Sequence, residues 1–382
     1  MNRKSLIVSF DFPPIRGGIS TFLLTIAQSV PPEKVIVLTE KNSSAPIYNF
    51  TTYRKDLISR SGLVWPRWLP MLYHMFKIAR KEKISLIQVG QILPFGICAL
   101  VLKKILNIPY IVYVYGQDLI IMRHSEKKMR QIRTVLKHAE AVIGCSHYTK
   151  LLAEQNGALP EHTHVLYPCP TVRPSQEYNR QEIESFMAAQ GLTGKKILLT
   201  VGNLVARKGH DMVLKALPEV IKHTRNIGYI ITGKGPQYNH LQQLVRIHQL
   251  QQYVKFMPQI THHELHKLYR ACDIFIMPTR TLKNKQGQST DVEGFGIVFV
   301  EANLYAKPVI GGDSGGVPEA IKNGFSGLTV NSEDSATIAK AIIKLLTDDP
   351  LAKRLGQQGR ERALEKFDWH KESKKLIKIL NG

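Results

Sequence analysis

The sequence predicts an α/β protein with two Rossmann-like, doubly wound domains that face an interdomain cleft. Short apolar runs alternate with helical stretches along the whole chain, a pattern typical of parallel sheets with helices on both faces. The runs fall into two series on either side of residues 166–174, a proline-rich stretch typical of a stiff linker. A chain of 382 residues with 43% hydrophobic residues suffices for two or three ordinary domains.

Each series contains five predicted strands. The first series consists of Leu6–Phe10, Lys34–Leu38, Leu86–Val89, Tyr110–Tyr115 and Ala141–Cys145. The second series consists of Lys196–Val201, Gly228–Thr232, Val254–Phe256, Asp273–Met277 and Pro308–Gly311. Ligands of doubly wound sheets bind at the carboxyl ends of the strands, so the loops after these runs are the candidate binding segments.

Composition excludes several other classes of protein. No apolar run approaches the ~18–20 residues of a membrane span. The four cysteines form no CxxC pair and no zinc spacing, so we expect a reduced, cytosolic chain without structural zinc.

The net charge of +22 is large and is denser in the first half of the chain. Through Pro174 there are 23 basic and 10 acidic residues, a net charge of +13, and the remainder carries +9. An anionic membrane surface, a nucleic acid or solvent alone could account for this excess. The chain has no RNP, KH or helix-turn-helix signature, so we expect no nucleic-acid partner and keep a basic nucleic-acid-binding protein only as an alternative.

Two carboxylates eight positions apart, Glu293 and Glu301, bracket a Gly-Phe-Gly turn that follows an apolar run. A helix that begins near Gly296 would place Glu301 one to two turns inside and present backbone N–H groups to an anion or a sugar hydroxyl. One carboxylate then suits a ribose diol and the other a transferred sugar. The alternative is a capping carboxylate and a solvated helix glutamate, but the neighbours of Glu301 are apolar, which favours a nucleotide-sugar site.

Arg207 and Lys208 lie in a glycine-containing loop just before a helix predicted to start near His210. Cations at a helix start oppose the helix dipole, which favours a functional role over an ordinary solvated pair. A departing diphosphate needs either a metal ion or fixed cations. Because the sequence contains no DxD motif, we expect these two cations to stabilise the diphosphate without a metal or other cofactor.

Glycines mark the ends of two predicted strands. Gly17 and Gly18 follow the first strand, where their backbone could approach a phosphate closely. Gly233-Lys234-Gly235-Pro236 follows a later strand, where the sequence leaves open a simple turn or a wall beside a nucleotide base.

Five motifs occur in the order of a known family. They are Phe12-Pro13-Pro14 with Gly17-Gly18, the segment Gly202–Gly209, Gly233–Pro236, the Glu293–Glu301 pair and Gly315-Gly316-Val317-Pro318-Glu319. On these motifs the chain resembles the retaining glycosyltransferases of family 4, which have the GT-B fold and include phosphatidylinositol mannosyltransferases. The resemblance covers nearly all of the chain.

The resemblance implies three segments: an acceptor-binding domain at residues 1–172, a nucleotide-sugar domain at 173–366 and a helix at 367–382 that crosses back onto the first domain. It implies that Glu301 binds ribose hydroxyls and that Glu293 contacts the transferred sugar. The implied donor-binding residues are Gly17, Gly18, Gly202, Gly235, Phe295, Gly296, Ile297 and Glu301. The implied catalytic residues are Arg207, Lys208, Glu293 and Tyr115.

Tyr115 marks a departure from the family, which usually has a histidine before the glycine at this strand end. A phenol can donate a hydrogen bond to a sugar or phosphate oxygen but carries no positive charge at neutral pH. Tyr115 is therefore either a packing residue or a support for the reacting groups, and the sequence leaves both open.

The segment Trp65–Lys83 is predicted to be an amphipathic helix with Trp68, Leu72, Phe76 and Ala79 on its apolar face. Such a helix suits either a domain core, which we favour, or a membrane surface. A second basic stretch, Lys127–Lys137, lies in the same domain and makes peripheral contact with an anionic membrane plausible.

Taken with the resemblance, these features predict a cytoplasmic enzyme that transfers a hexosyl unit, with retention, from GDP-mannose or a UDP-sugar to a lipid-linked or glycan acceptor. An epimerase of nucleotide sugars on the same fold is the alternative enzyme. The glutamate pair and the two cations favour transfer.

Overall fold

The computed structural model describes residues 3–15, 17–42, 46–61, 64–170, 174 and 179–382. The domain boundary predicted at 172/173 lies outside these residues, and the proline-rich stretch lies partly outside them. The chain divides into two compact units. Unit 1 comprises Met1–Pro168 and Trp369–Gly382, and unit 2 comprises Cys169–Asp368.

Unit 1 is built on a parallel sheet. Its described strands are β1 Ser5–Val8, β2 Val35–Glu40, β3 Thr51–Lys55, β4 Leu86–Val89, β5 Tyr110–Val114, β6 Ala141–Gly144 and β7 Thr163–Val165. Its helices before residue 168 are α1 Gly18–Gln28, α2 Leu69–Lys81, α3 Phe95–Leu106, α4 Gln117–Ile120, α5 Glu126–Lys137 and α6 His147–Gln155. The strand order β3-β2-β1-β4-β5-β6-β7 reverses between β1 and β4.

Unit 2 repeats this plan. Its described strands are β8 Lys196–Val201, β9 Ile227–Thr232, β10 Val254–Met257, β11 Ile274–Met277, β12 Leu282–Lys283, β13 Ser289–Asp291, β14 Val309–Gly312 and β15 Gly327–Val330. Its helices are α7 Arg180–Ala189, α8 His210–His223, α9 Tyr238–Ile247, α10 His262–Ala271, α11 Ile297–Leu304, α12 Val317–Ala320, α13 Ser335–Thr347 and α14 Asp349–Lys366. The parallel order β10-β9-β8-β11-β14-β15 reverses between β8 and β11, and β12 pairs with β13 as a separate hairpin.

The predicted α/β class with two doubly wound domains is confirmed. The central strands β1, β4, β5 and β6 are buried at every residue, because helices cover both faces of the sheet. This burial explains why the sequence shows them as continuous apolar runs. The runs did not reveal the edge strands β3 and β7, whose residues are mostly polar or partly exposed.

The last helix, α15 (Trp369–Asn381), packs within unit 1. The indole of Trp369 donates a hydrogen bond to Ser29 Oγ at 2.6 Å. The buried carboxylate of Glu372 accepts the Tyr167 N–H at 3.0 Å. Leu376 and Leu380 are fully buried in the core of unit 1, so both polar and apolar contacts anchor this helix.

Helix α2 corrects the predicted apolar face. Its buried residues are Met71, Met75, Ile78 and Ala79. Of the predicted set Trp68, Leu72, Phe76 and Ala79, only Ala79 is buried, and the others are half-buried. The helix is rotated about its own axis by about one residue relative to our prediction, because the methionines fill the space beneath it. The described part of the chain contains no helix with both the length and the apolar composition to cross a membrane.

Candidate active site

The loops at the reversal point of the unit 2 sheet carry three of the predicted site residues, Arg207, Lys208 and Glu293. In unit 2, the loop after β8 holds Arg207 and Lys208, and the segment after β11 leads through the β12–β13 hairpin to Glu293. The carboxyl ends of adjacent parallel strands lie at one edge of the sheet, where doubly wound proteins bind ligands. Residues 86 positions apart in sequence therefore come into direct contact.

Arg207, Lys208 and Glu293 form one ionic cluster. Lys208 Nζ donates to Glu293 Oε2 at 2.5 Å, and Arg207 Nη1 donates to the same oxygen. A fourth member, Asp291, places Oδ1 3.1 Å from Arg207 Nε. The four side chains are between 12% and 17% exposed, so their charges interact with little screening by water.

Burial and charge act in opposite directions on these groups. Burial raises the pKa of Glu293, but Lys208 and Arg207 outweigh it and hold the pKa below its ordinary value. Burial lowers the pKa of Lys208, and the attraction of Glu293 only partly offsets this effect. For Arg207, burial is opposed by Glu293 and Asp291, and the pKa is raised overall. Glu293 is therefore an ionised carboxylate held by two cations.

The loop that carries the cations is itself held in place. A short 3₁₀ turn, Ala206–Lys208, ends at Gly209, whose φ of +73° and whose approach to Pro278 O leave no room for a Cβ. The backbone N–H of Arg280 donates to the backbone carbonyl of Arg207 at 2.9 Å. The side chain of Arg280 binds both carboxylate oxygens of Asp211 through Nη2, at 3.0 Å each. The loop after β11 thus fixes the backbone of Arg207.

His210, the first residue of α8, lies beneath this loop. Neither ring nitrogen has a hydrogen-bond partner among the described residues. Burial, with Lys208 and Arg280, lowers its pKa to about 3. His210 is therefore neutral at physiological pH and adds no charge to the cluster.

The backbone of Glu293 is held by the glycine motif at residues 315–319. Gly316 N–H donates to Glu293 O at 2.9 Å, and a Cβ on Gly315 would lie 2.3 Å from that oxygen. Gly315 also has a φ of +59°, which favours glycine. This motif therefore positions the glutamate through its main chain.

The turn before α11 has the predicted geometry. Gly296 is the N-cap of α11 with a φ of +90°, and a Cβ there would lie 2.7 Å from the Phe299 ring. The ring of Phe295 is buried against Phe367, with ring centroids 5.3 Å apart, so only its backbone is available to a ligand. Ile297 begins the helix, whose first N–H groups have no intrahelical acceptor.

Glu301 lies in the second turn of α11 and is held by a residue that the sequence did not reveal. The hydroxyl of Tyr269, a fully buried residue on α10, donates to Glu301 Oε2 at 2.7 Å. Burial raises the pKa of Glu301, and the Tyr269 hydrogen bond opposes that rise. The Tyr269 ring stacks on Tyr305 at 5.4 Å, which restricts its position.

Close backbone packing explains two glycines of unit 2, Gly233 and Gly235, whereas a Cβ on Gly202 would make only ordinary contacts with Met277 and Lys208. A Cβ on Gly233 would lie 2.0 Å from Gly202 O, and one on Gly235 would lie 2.4 Å from Leu204 O. The loops after β8 and β9 are joined by the hydrogen bond from Leu204 N–H to Lys234 O at 2.9 Å. Of the two interpretations that the sequence left open for Gly233–Pro236, the turn accounts for these glycines without a ligand.

In unit 1, the loops after β1 and β4 are joined by a polar network. The Gln91 amide donates to Asp11 Oδ2 at 2.8 Å and accepts the Phe10 N–H at 3.0 Å. Gly17 has extended backbone and Gly18 opens α1, and no described atom lies within 4 Å of a Cβ built on either. In contrast to Gly233 and Gly235, packing does not explain these two.

Tyr115 follows β5, and its side chain extends into a buried environment. Its hydroxyl is buried and has no hydrogen-bond partner in the described structure, and the same holds for Asp118 Oδ2. Burial is the main cause that raises the pKa of Tyr115 well above its usual value, and it also raises the pKa of Asp118 to about 6. The Tyr115 ring packs edge-on against Phe22 at 6.4 Å. The ring is thus a packing element, while the hydroxyl retains its hydrogen-bonding capacity.

Comparison with known protein families covers both units. A model described as Glycosyltransferase Family 4 matches residues 16–169, and a model described as Glycosyl transferases group 1 matches residues 182–362. The chain is a family 4 glycosyltransferase.

Curated relatives of this glycosyltransferase cover its whole length. A GDP-mannose-dependent monoacylated alpha-(1-6)-phosphatidylinositol monomannoside mannosyltransferase of Corynebacterium glutamicum is 28% identical over all of this chain and 98% of its own. A GDP-mannose-dependent alpha-(1-6)-phosphatidylinositol monomannoside mannosyltransferase of Mycolicibacterium smegmatis is also 28% identical, over 99% and 98% of the two chains.

Solved structures place the glycosyltransferase in the GT-B fold. Anabaena HepE, solved in complex with UDP-glucose, superposes with a TM-score of 0.81 at 19% identity over the full length of both chains. Sucrose-phosphate synthase from Thermosynechococcus elongatus gives a TM-score of 0.81 at 21% identity, over 100% of this chain and 98% of that one.

Sequence reasoning missed three residues of the glycosyltransferase's unit 2 site. Asp291 was not among the predicted site residues, although it lies two positions before Glu293 and both carboxylates lie beside Arg207. Tyr269 and Arg280 gave no local signal, because each is far in sequence from the residue it holds. The structure brings Arg207, Lys208 and Glu293 into contact, whereas Gly17, Gly18 and Tyr115 belong to unit 1.

Proposed function

We propose that the protein transfers a hexosyl unit, with retention of anomeric configuration, from a nucleoside diphosphate sugar to a lipid-linked or glycan acceptor. The observation that carries this proposal is the contact of Arg207 and Lys208 with Glu293, in the same unit as Glu301. Two largely buried cations supply charge for a diphosphate, and the two carboxylates supply acceptors for sugar and ribose hydroxyls.

The diphosphate gains negative charge as the glycosidic bond breaks. Arg207 and Lys208 are held in their loop before the substrate arrives, so they stabilise that charge once they face the diphosphate. We therefore assign the role of a metal to these cations and propose a metal-independent reaction with no further cofactor. Turnover should persist in EDTA; a complete loss that manganese or magnesium restores would contradict this assignment.

The donor is a GDP- or UDP-hexose, and the relatives named for GDP-mannose favour that donor. A thermal-shift screen of GDP, UDP and their sugars would identify it. A ligand present at 100 times its dissociation constant adds about 2.7 kcal/mol of stability, which such a screen detects readily.

The acceptor is lipid-linked, and the enzyme works in cell-envelope glycan biosynthesis at the cytoplasmic face of a membrane. The exposed side of α2 and of the turn before it supports this step. Trp65, Leu69 and Tyr73 are 80%, 39% and 58% exposed and are spaced four residues apart. Exposed Lys77 and Arg80 follow on the same helix, which matches the aromatic and cationic pattern of an interfacial helix.

The decisive experiment measures sugar transfer by purified protein with Arg207→Ala and Glu301→Ala variants. Arg207→Ala should lower kcat by about 10²–10³-fold, because it removes a preorganised contact to the leaving diphosphate. Glu301→Ala should mainly weaken nucleotide affinity, because its contact exists before and during the reaction. Unchanged kinetics in either variant would remove that residue from the site.

A further inference from the structure

The four charges of the unit 2 cluster cancel. Arg207 and Lys208 face Asp291 and Glu293, and all four side chains are largely buried. A nucleoside diphosphate is an anion, so it gains little from a neutral cluster unless one carboxylate moves away. Its binding therefore requires the cluster to rearrange.

Glu293 is the carboxylate that competes with the diphosphate. Lys208 Nζ and Arg207 Nη1 donate to one and the same oxygen, Glu293 Oε2. A phosphate oxygen needs those same donors. The phosphate and Glu293 are therefore competitors for one set of N–H groups.

We propose that Glu293 is a latch that exchanges partners during the reaction. Donor binding transfers Arg207 and Lys208 from Glu293 to the diphosphate, and Glu293 turns to hydroxyls of the transferred sugar. After transfer, Glu293 returns to the cations and displaces the nucleoside diphosphate. The latch rests on the proposed function and adds to it a role in product release.

The sugar is what separates the donor from the product in this exchange. Its hydroxyls compensate Glu293 for the two lost ion pairs, whereas a nucleoside diphosphate offers no sugar hydroxyls at that position. Leaving a carboxylate that is only 12% exposed without a partner is costly. Glu293 therefore weakens the binding of the product more than that of the donor.

Asp291 has a different part in the cluster. It lies beside Arg207 Nε, a different nitrogen from the Nη1 that binds Glu293. Arg207 keeps this partner while Glu293 leaves and returns, so we assign Asp291 as a positioning residue.

The test compares Glu293→Gln with Asp291→Asn, two variants that each remove one negative charge from the same cluster. Calorimetry would measure the dissociation constants of GDP, UDP, GDP-mannose and UDP-glucose for both variants and the wild type. Glu293→Gln should bind the diphosphate of the recognised base about tenfold more tightly and its sugar nucleotide no more tightly. Asp291→Asn should change the affinity for both ligands by the same factor.

Equal gains for the diphosphate and the sugar nucleotide in Glu293→Gln, or no gain for the diphosphate, would overturn the latch and leave the proposed function standing. If wild-type protein binds none of the four nucleotides, both proposals fail. Should Glu293→Gln not fold, Glu293→Asp keeps the charge but shortens its reach. It should show the same selective gain for the diphosphate, and its absence would again overturn the latch.

Discussion

Tyr269 determines how Glu301 is presented. Its hydroxyl binds one carboxylate oxygen of Glu301 and so orients the other for a ligand. We expect Tyr269→Phe to weaken nucleotide binding about tenfold with little change in kcat, because a hydrogen bond to a charged group is lost. The pKa of Glu301, already raised by burial, should rise further, so binding should fall away at a higher pH than in the wild type. Titration of nucleotide affinity against pH would measure this.

Tyr305→Phe is the matched control for that experiment. Tyr305 stacks on Tyr269, and its hydroxyl forms a hydrogen bond with His266. It should leave the pH dependence of nucleotide binding unchanged. An equal shift in both variants would mean that ring packing, not the Tyr269 hydroxyl, sets the behaviour of Glu301.

Substitution of Tyr115 should affect the stability of the protein and its turnover differently. Its buried hydroxyl has no described partner, so Tyr115→Phe should leave Tm unchanged or slightly raised. If the hydroxyl supports the sugar or the leaving phosphate, the same change should slow turnover, and Tyr115→His should be tolerated. A Phe variant of normal rate would identify Tyr115 as a packing residue only.

Asp118 should make stability depend on pH. Burial raises its folded-state pKa to about 6, from an unfolded value of 3.8. Its favourable contribution is therefore complete below pH ~4 and is lost as pH rises through ~6. Asp118→Asn should stabilise the protein by about 1–2 kcal/mol at pH 7–8 and have no such effect near pH 4. The difference in Tm across this range is the measurement, and a pH-independent difference would contradict the assignment.

Among the elements, two glycines at helix starts should differ in how much stability the protein loses when they are replaced by alanine. Gly296→Ala introduces a Cβ at a φ of +90° and against Phe299, so it should cost about 2 kcal/mol of stability. In Gly17→Ala the new Cβ meets no described atom and the backbone is extended, so Tm should not change. If a phosphate approaches Gly17, as expected from the sequence, turnover should nevertheless fall about tenfold or more.

Thermal unfolding and initial rates of the two alanine variants would check this contrast. A Gly17→Ala protein with normal stability and normal turnover would exclude close approach of the donor at that loop.

At the scale of the whole molecule, the net charge of +22 predicts attachment to anionic membranes. Each cation near such a surface contributes up to about 1 kcal/mol. The protein should therefore sediment with vesicles that contain phosphatidylglycerol and not with neutral vesicles. Attachment should weaken as salt rises, because the screening length is only ~8 Å at physiological ionic strength.

Tyr73→Ala should weaken that sedimentation, because the exposed ring lies beside the cations of α2. Ile247→Ala is the control, since Ile247 is 71% exposed but belongs to unit 2. Equal sedimentation with neutral vesicles, or none with either kind, would leave the basic residues as a solubility feature and favour a soluble glycan acceptor.

Local pattern in the sequence was enough for the architecture and for part of the site. Buried parallel strands such as β4 and β8 are continuous apolar runs, and the helix start at Gly296 follows from its turn. The predicted buried face of α2 was wrong. Apolar residues lie on several sides of this helix, so packing against the rest of the unit decides which of them are buried.

Local sequence pattern predicts the α/β class, the family and most of the cations and carboxylates of the proposed donor site, because these depend on short-range periodicity and on motifs of adjacent residues. The contacts of Glu293 with Lys208, of Asp291 with Arg207 and of Tyr269 with Glu301 depend on the packing of the fold. These contacts join residues 32 to 85 positions apart. They arise because parallel strands and the helices between them bring distant loops to one edge of a sheet.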